Sequence, residues 1–190
     1  MEKPLAVRSH EQMKDVLMDP SADGPAAHYY MIRGGSSKGN VTVWEPGTVG
    51  GEYVKSYGHY HVGRLDETYR ILAGEGYILM QVRKTGADGS PIDAEIGSFK
   101  AVRVKAGDSV FIPSGAGHLA VNTGRTWLVT EDDSPVDFSE KDPAGSPGHA
   151  DYRPFKSLRG AAYYVIEKDG KPEFVRNPRY ADVPPLEHQV

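Results

Sequence analysis

Short apolar stretches alternate with turn-forming residues from position 29 to position 180, and this pattern constrains the fold more than any other feature. Runs such as 42–44, 99–104 and 109–112 are too short for most helices but typical of strands. Glycine, proline and aspartate separate them, and the 190 residues include 22 glycines and 14 prolines. The pattern predicts an all-β protein built as a sheet sandwich or a barrel.

The remaining segments flank this β-rich region within one predicted domain covering 1–190. Ser9 and Gln12 fit a capping box, which predicts a short helix that ends before Asp19 and Pro20. Glycines at 74–76 predict a hairpin connection, and the Asp-Gly pair within 168–171 predicts another. The predicted parts are an N-terminal extension (1–26), the barrel (27–131), a long loop able to act as a lid (132–151) and a C-terminal extension (152–190).

Composition excludes several classes of protein and site. The 22 basic and 26 acidic residues give a net charge near -4, which offers no general attraction for nucleic acid or for an anionic membrane. No run of about 20 apolar residues that could span a bilayer is present, and the first residues lack the apolar core of a signal peptide. Without cysteine, a metal ion can be bound only by histidine, carboxylate or water. We therefore expect a cytoplasmic protein without nucleic-acid or membrane partners.

Two histidines separated by one residue provide the clearest chemical signal. On a strand, His59 and His61 point to the same face because side chains alternate across the pleat. Glu67 follows them, and His118 comes after a Pro- and Gly-containing turn that can return it to face the pair. Taken singly, each histidine also fits a hydrogen-bonded or surface role, and Glu67 fits a solvated one. Together, three imidazoles and one carboxylate predict a site for a divalent metal ion.

These residues belong to two longer patterns. The first contains Gly58, His59, Tyr60, His61, Glu67 and Gly74, and the second contains Gly107, Pro113, Gly115, His118 and Asn122. They resemble the paired motifs of the cupin superfamily, which implies a cupin-type β-barrel or jelly roll. Two departures lie in the first motif, where Tyr53 replaces the usual opening glycine and the gap between His61 and Glu67 is slightly longer.

A narrower resemblance covers most of the chain from Thr42 onward. It lies in the stretches PGTVGGEYVKSYGHYH (46–61), ETY (67–69), LAGEG (72–76), LMQ (79–81), IPSGAGH (112–118), VNTG (121–124), GHADY (148–152), YVIEKDG (164–170) and NPRY (177–180). These are similar to the cupin-type glucose-6-phosphate isomerases of archaea and some bacteria. The resemblance implies a homodimer that interconverts glucose 6-phosphate and fructose 6-phosphate, a step of glycolysis and gluconeogenesis. It also implies one divalent metal ion per chain, iron in the first place, with manganese, zinc or nickel as alternatives.

The resemblance assigns roles to individual residues. The implied metal ligands are His59, His61, Glu67 and His118. The implied catalytic residues are Glu67, Tyr69 and His149, and the implied substrate-binding residues are Thr42, Ser56, Gly58 and Tyr152. Ser56 replaces a more usual threonine, Ala150 adds one residue between His149 and Tyr152, and the stretch 132–147 is longer than its counterpart.

The sequence also fits other interpretations. Thr42 and Ser56 also fit plain strand positions, Tyr69 fits a barrel core, and either Tyr29 or Tyr30 can face the pocket. A cupin dioxygenase could use the same ligands with iron and would consume oxygen, whereas a sugar-binding cupin would give no turnover. For an isomerase, Glu67 can transfer a proton, or a hydride can shift directly between the two carbons.

Overall fold

The computed structural model of the chain describes residues 5–33, 39–134 and 150–189. Within these ranges the chain forms 16 strands, of which β9 is the longest with 15 residues, and two short helices. They are β1 (Leu5–Ser9), α1 (His10–Met13), β2 (Ala27–Ile32), β3 (Asn40–Trp44), β4 (Thr48–Val49), β5 (Glu52–Tyr53), β6 (Tyr60–His61), β7 (Glu67–Ala73), β8 (Glu75–Thr85), β9 (Pro91–Lys105), β10 (Ser109–Ile112), β11 (Ala116–Asn122), β12 (Leu128–Asp132), β13 (Ala150–Asp151), α2 (Arg153–Ser157), β14 (Tyr163–Lys168), β15 (Lys171–Arg176) and β16 (Glu187–Gln189).

Two main sheets enclose the core. The first is antiparallel, with strand order β1-β2-β3-β12-β7-β10, and the second has the order β11-β8-β9-β16, in which β16 pairs parallel to β9. A two-stranded sheet (β13-β6) and a four-stranded sheet (β15-β14-β5-β4) complete the fold. This arrangement confirms the predicted all-β, cupin-type barrel with a short N-terminal helix and a C-terminal hairpin. The described residues include no helix long and apolar enough to cross a membrane.

Strand periodicity determines which side chains reach the interior. On β7, Glu67, Tyr69 and Ile71 are buried, while the intervening residues are more exposed. All residues of β11 are buried, because this strand is covered on both faces. Fully buried side chains such as Ile78 each stabilise the fold by roughly 1.5–3 kcal/mol. Polar residues on the inner face of β7 are therefore exceptions that require a partner or a ligand.

The predicted hairpin at 74–76 is wrong, because the two strands that flank it belong to different sheets. β7 pairs with β10 and β12, whereas β8 pairs with β9 and β11. Gly74 adopts φ +79°, and a Cβ there would lie 2.3 Å from the carbonyl oxygen of Trp127. The glycine is required because the chain crosses from one sheet to the other in close contact with neighbouring backbone.

The capping box at Ser9 is confirmed, but the helix is shorter than expected. The backbone N–H of Gln12 bonds the Ser9 hydroxyl, and α1 ends at Met13. Beyond it, the Lys55 ammonium bonds the carbonyl of Val16 at 2.7 Å, and the N–H of Met18 bonds a Glu52 carboxylate oxygen at 2.8 Å. These backbone groups bind a buried ion pair of the barrel instead of extending the helix.

The C-terminal hairpin is confirmed, since β14 and β15 pair across a turn in which Asp169 and Gly170 have φ +52° and +73°.

The long segment 132–151 begins and ends with strand residues. Asp132 closes β12, and β13 pairs with the metal-motif strand β6 through Ala150 and His61. Residues 135–149, which include His149, lie outside the described residues.

Candidate metal centre and cavity

Two neighbouring backbone segments present the three predicted histidine ligands to one interior space. The N–H groups of His59 and His118 donate to each other's carbonyl oxygens, with N–O distances of 3.2 and 3.0 Å. His61 lies two residues beyond His59, on the same face as strand alternation predicts. The imidazole centroids are 4.5 Å apart for His59 and His118, 5.0 Å for His61 and His118, and 5.2 Å for His59 and His61.

Glu67 completes this group from the opposite sheet. Its Oε2 atom lies 3.0 Å from Nε2 of His118 and 3.4 Å from Nε2 of His61. One nitrogen or oxygen from each of the four residues lies within 4.8 Å of the others. Glu67 and His118 are only 3% and 1% exposed, so their polar atoms are removed from bulk water.

Hydrogen bonds on the far side of the rings favour metal binding. Nδ1 of His61 lies 3.0 Å from the carbonyl of Leu65, and Nδ1 of His118 lies 3.4 Å from the carbonyl of Ala116. A carbonyl only accepts, so each Nδ1 donates, and the lone pair of each neutral ring is on Nε2. Nε2 of His118 and Oε2 of Glu67 are close but not aligned as a hydrogen bond. Such converging lone pairs fit a divalent cation bound by three nitrogens and one carboxylate.

Two buried carboxyl groups of the cavity have opposite pKa shifts. Burial opposes ionisation of Glu67, but the positive charge that His118 and His61 carry when they are protonated more than offsets this and lowers its pKa. Burial and the charge of Glu67 raise the pKa of Asp132 to about 6, although hydrogen bonds from Ser134 and Asn40 oppose the increase. Glu67 is therefore ionised at neutral pH, as a metal ligand or a base must be.

Three members of the four-ligand cluster, His59, Glu67 and His118, line a cavity whose volume, including its open mouth, is about 500 Å³. Of the predicted substrate-side and catalytic residues, the described part of the chain brings six to its wall. These are Thr42, Ser56, Gly58, Glu67, Tyr69 and Tyr152. His149, the remaining predicted catalytic residue, lies outside the described residues.

The substrate-side positions differ in how they meet the cavity. Thr42 is buried on β3, and the Ser56 hydroxyl accepts a hydrogen bond from the N–H of Ala120 at 2.8 Å. The same hydroxyl donates a longer bond of 3.5 Å to the carbonyl of Ala120, so both contacts fix the Ser56 oxygen beside β11. Gly58 has φ +84°, and a Cβ there would lie 2.5 Å from the Phe155 ring. Glycine thus allows the backbone to turn tightly between Ser56 and His59.

Tyrosines line both sides of the cluster. Tyr69 lies two residues after Glu67 on the same face of β7, and its ring centroid is 5.7 Å from that of His118. Tyr152 lies 5.3 Å from the His59 ring. Of the two tyrosines left unassigned by the sequence, Tyr29 is buried against the cavity, whereas Tyr30 is partly exposed and donates to Glu45 at 3.3 Å.

Sequence reasoning missed several residues of the cavity wall. Met31 and Arg33 continue the inward face of β2 that begins at Tyr29, so the period of two could have identified them. The Arg33 Nη1 atom is buried and has no hydrogen-bond partner among the described residues. The sequence predicts Asp132 and Ser134 in the long loop, but both are buried at the wall and share hydrogen bonds with Asn40.

Comparisons with known proteins agree with the motifs. The model of the family described as glucose-6-phosphate isomerase (GPI) matches residues 25–182. A glucose-6-phosphate isomerase of Thermococcus onnurineus is 33% identical over 142 residues, which cover 74% of this chain and 62% of that protein. One from Thermococcus litoralis is 29% identical over 189 residues, which cover 92% and 87%.

Among solved structures, one described as a predicted oxalate decarboxylase from Thermotoga maritima has a TM-score of 0.41 at 22% identity, covering 69% of this chain and 90% of that chain. The sequence matches are stronger, since one family model covers most of the positions in the chain. The resemblance noted in the sequence is therefore confirmed: this chain belongs to the glucose-6-phosphate isomerase family.

Proposed function

We propose that the protein is a metal-dependent aldose-ketose isomerase that interconverts glucose 6-phosphate and fructose 6-phosphate. The observation that carries the proposal is the convergence of His59, His61, Glu67 and His118 on one point of a cavity that also presents hydroxyl groups. Membership of the glucose-6-phosphate isomerase family supports the same reaction.

The reaction moves hydrogen between C2 and C1 of the sugar while charge develops on the two adjacent oxygens. A divalent ion held by the four ligands would supply a Lewis acid that stabilises this charge. Glu67 is ionised and lies in the same wall as Tyr69, so its carboxylate is positioned to take and return the proton. The Tyr69 hydroxyl would then donate to a sugar oxygen.

Glu67 has two proposed roles that compete with each other. A carboxylate bound to a cation is a weaker base, so proton transfer by Glu67 requires that its metal contact loosen when sugar binds. The alternative is a direct hydride shift, in which Glu67 remains a ligand. Glucose 6-phosphate deuterated at C2 separates the two routes. Full retention of deuterium in the fructose 6-phosphate formed indicates a hydride shift, and loss of deuterium to solvent indicates proton transfer.

The remaining predicted roles stay part of the proposal. Thr42, Ser56 and Gly58 would bind the phosphate of the substrate, Tyr152 would bind the substrate, and His149 would act as a catalytic residue near it. Iron is the first candidate for the metal ion, followed by manganese, zinc and nickel. A cytoplasmic homodimer is expected, and gel filtration combined with light scattering measures the oligomeric state.

A coupled assay tests the reaction directly. Fructose 6-phosphate is supplied, and glucose 6-phosphate formation is followed before chelation, after chelation and after readdition of each metal. We expect activity to be lost on chelation and restored by at least one metal ion. An enzyme inactive with iron, manganese, zinc and nickel would contradict the proposal, and oxygen consumption in the same mixture would point to the dioxygenase alternative.

The ligand set has its own test. His61→Ala should abolish bound metal, measured by elemental analysis, and reduce turnover to background while the near-UV circular dichroism is retained. His10→Gln is the matched control, because His10 bonds His28 and the carbonyl of Ala22, not the cluster. An active His61→Ala enzyme without metal would remove the proposed site.

A further inference from the structure

A buried arginine outside the four-ligand cluster has no anionic partner among the described residues. Arg8 lies on β1, is 8% exposed, and has a buried Nε atom without a hydrogen-bond partner among the described residues. Among the described residues, the polar groups that face Arg8 are the hydroxyls of Tyr29 and Tyr152, not carboxylates. A guanidinium remains charged even when buried, and burying it without a counter-charge is costly. Arg8 therefore calls for a negative ligand.

The two tyrosines connect Arg8 to the cavity. The guanidinium carbon of Arg8 lies 5.8 Å from the centre of the Tyr152 ring, and Arg8 pairs with Tyr29 across β1 and β2. The Tyr29 oxygen also accepts the N–H of Tyr57 at 3.3 Å. Because the Tyr29 oxygen is the acceptor in this bond, its own O–H proton can be donated to a ligand. Tyr29 and Tyr152 both line the cavity.

In this tyrosine end, formed by Tyr29 and Tyr152, Tyr152 lies beside the His59 ring, whereas Tyr29 is separated from Glu67 and Tyr69 along the sheet. Tyr29 on β2 pairs with Trp44 on β3. Tyr69 on β7 pairs with Asp132 on β12, and Asp132 in turn pairs with Asn40 on β3. Asn40 and Trp44 are four residues apart on one strand, which corresponds to about 13 Å along the sheet. The N–H of Tyr57, between Ser56 and Gly58, links the tyrosine end to the predicted phosphate-side residues.

We propose that Arg8 is a positioning residue for the phosphate group of the sugar phosphate. It holds the hydroxyls of Tyr29 and Tyr152 as donors and makes the tyrosine end electropositive, which suits a dianion with several acceptor oxygens. This inference rests on the proposed function and deepens it. Arg8 precedes the residues matched by the family model, which begin at position 25.

Binding measurements with non-reactive ligands test the proposal without requiring turnover. Glucitol 6-phosphate and glucitol are titrated calorimetrically into metal-loaded wild-type protein and into the Arg8→Met and Arg8→Lys variants. Arg8→Met should weaken glucitol 6-phosphate binding by about 10- to 100-fold, the loss typical of one charge-assisted interaction. Glucitol binding should be unchanged, and Arg8→Lys should recover part of the affinity because it restores the charge.

The matched control is Arg70→Met, which removes the same charge from an exposed side chain paired with Glu131. Its affinity for glucitol 6-phosphate should change by less than about twofold, because exposed charges are screened. If Arg8→Met does not fold, Tyr29→Phe tests the same arrangement by removing only the donating hydroxyl. It should selectively weaken the phosphate ligand.

Kinetics add a second readout. The KM for fructose 6-phosphate should rise in Arg8→Met by the same factor as the calorimetric loss, with kcat nearly unchanged, because the phosphate is remote from the reacting carbons. The inference is overturned if Arg8→Met binds glucitol 6-phosphate as tightly as the wild type does. It is also overturned if the variant loses affinity for glucitol by the same factor as for glucitol 6-phosphate. The same holds for a wild-type protein that does not prefer glucitol 6-phosphate to glucitol. A wild-type protein without turnover refutes the proposed reaction, while calorimetry still decides the role of Arg8.

Discussion

The buried ion pair between Lys55 and Glu52 offers a quantitative test of how the N-terminal segment is fixed to the barrel. Both side chains are almost fully buried, and they also bind the backbone of Val16 and Met18. Lys55→Met leaves a buried carboxylate without its cation, which costs roughly 3–5 kcal/mol. Glu52→Gln leaves the buried ammonium unpaired and should cost a similar amount. The double variant removes both charges and should lose much less than the sum of the single losses.

The free energies of unfolding come from urea titrations followed by tryptophan fluorescence, with all proteins freed of metal so that binding does not contribute. Lys14 and Glu11 provide the control, because they have the same residue types and spacing but are exposed. Lys14→Met should cost less than about 1 kcal/mol. Additive single losses at Lys55 and Glu52, or a loss at Lys55 no greater than at Lys14, would refute the reasoning.

Four further predictions follow from the site and its surroundings. Gly58→Ala should destabilise the fold and reduce activity, because φ is +84° and the added Cβ meets Phe155. Gly47→Ala is the control and should show only backbone strain of about 1–2 kcal/mol, since nothing lies near the added Cβ. Urea midpoints and the coupled assay compare the two variants. Burial and then neighbouring charges lower the pKa of His28 from 6.5 to about 4, so the unfolded state binds more protons as the pH falls from 6.5 towards 4 and stability drops by up to about 3 kcal/mol. His28→Gln should flatten the stability profile in that window; an unchanged slope contradicts the assignment. Tyr69→Phe should lower kcat while metal content stays constant, and a wild-type kcat would leave Tyr69 as a core residue. Adding the metal ion at 100 times its dissociation constant to the metal-free protein should raise the free energy of unfolding by about 2.7 kcal/mol. A thermal midpoint that the metal ion does not raise would argue against a binding site in the native state.

The sequence was sufficient for features that depend on local spacing. Strand alternation predicted that His59 and His61 share a face, and the structure has their rings on one side together with His118. The Asp169 and Gly170 turn was predicted because positive φ at both positions is a local requirement.

Features that depend on distant contacts were not predicted. The glycines at 74–76 signal a tight turn, but only the pairing partners of β7 and β8 decide whether that turn joins one sheet or two. Asp132 disfavours a strand on its own, yet hydrogen bonds with Asn40 and Ser134 stabilise it inside β12. Arg8 is far from the cavity in sequence, and only the pairing of β1 with β2 brings it behind Tyr29.

The segment between Ser134 and Ala150 starts and ends beside the cavity. Ser134 is held by Asn40, and Ala150 is held by its pairing with His61. Chain length between two fixed ends is thermodynamically inexpensive, because doubling such a loop costs only about 0.6 kcal/mol in closure entropy. The metal ligands lie outside this segment, on strands that do not depend on its length. The number of residues between Ser134 and Ala150 can therefore change in evolution without altering the strands that bring His59, His61, Glu67 and His118 together.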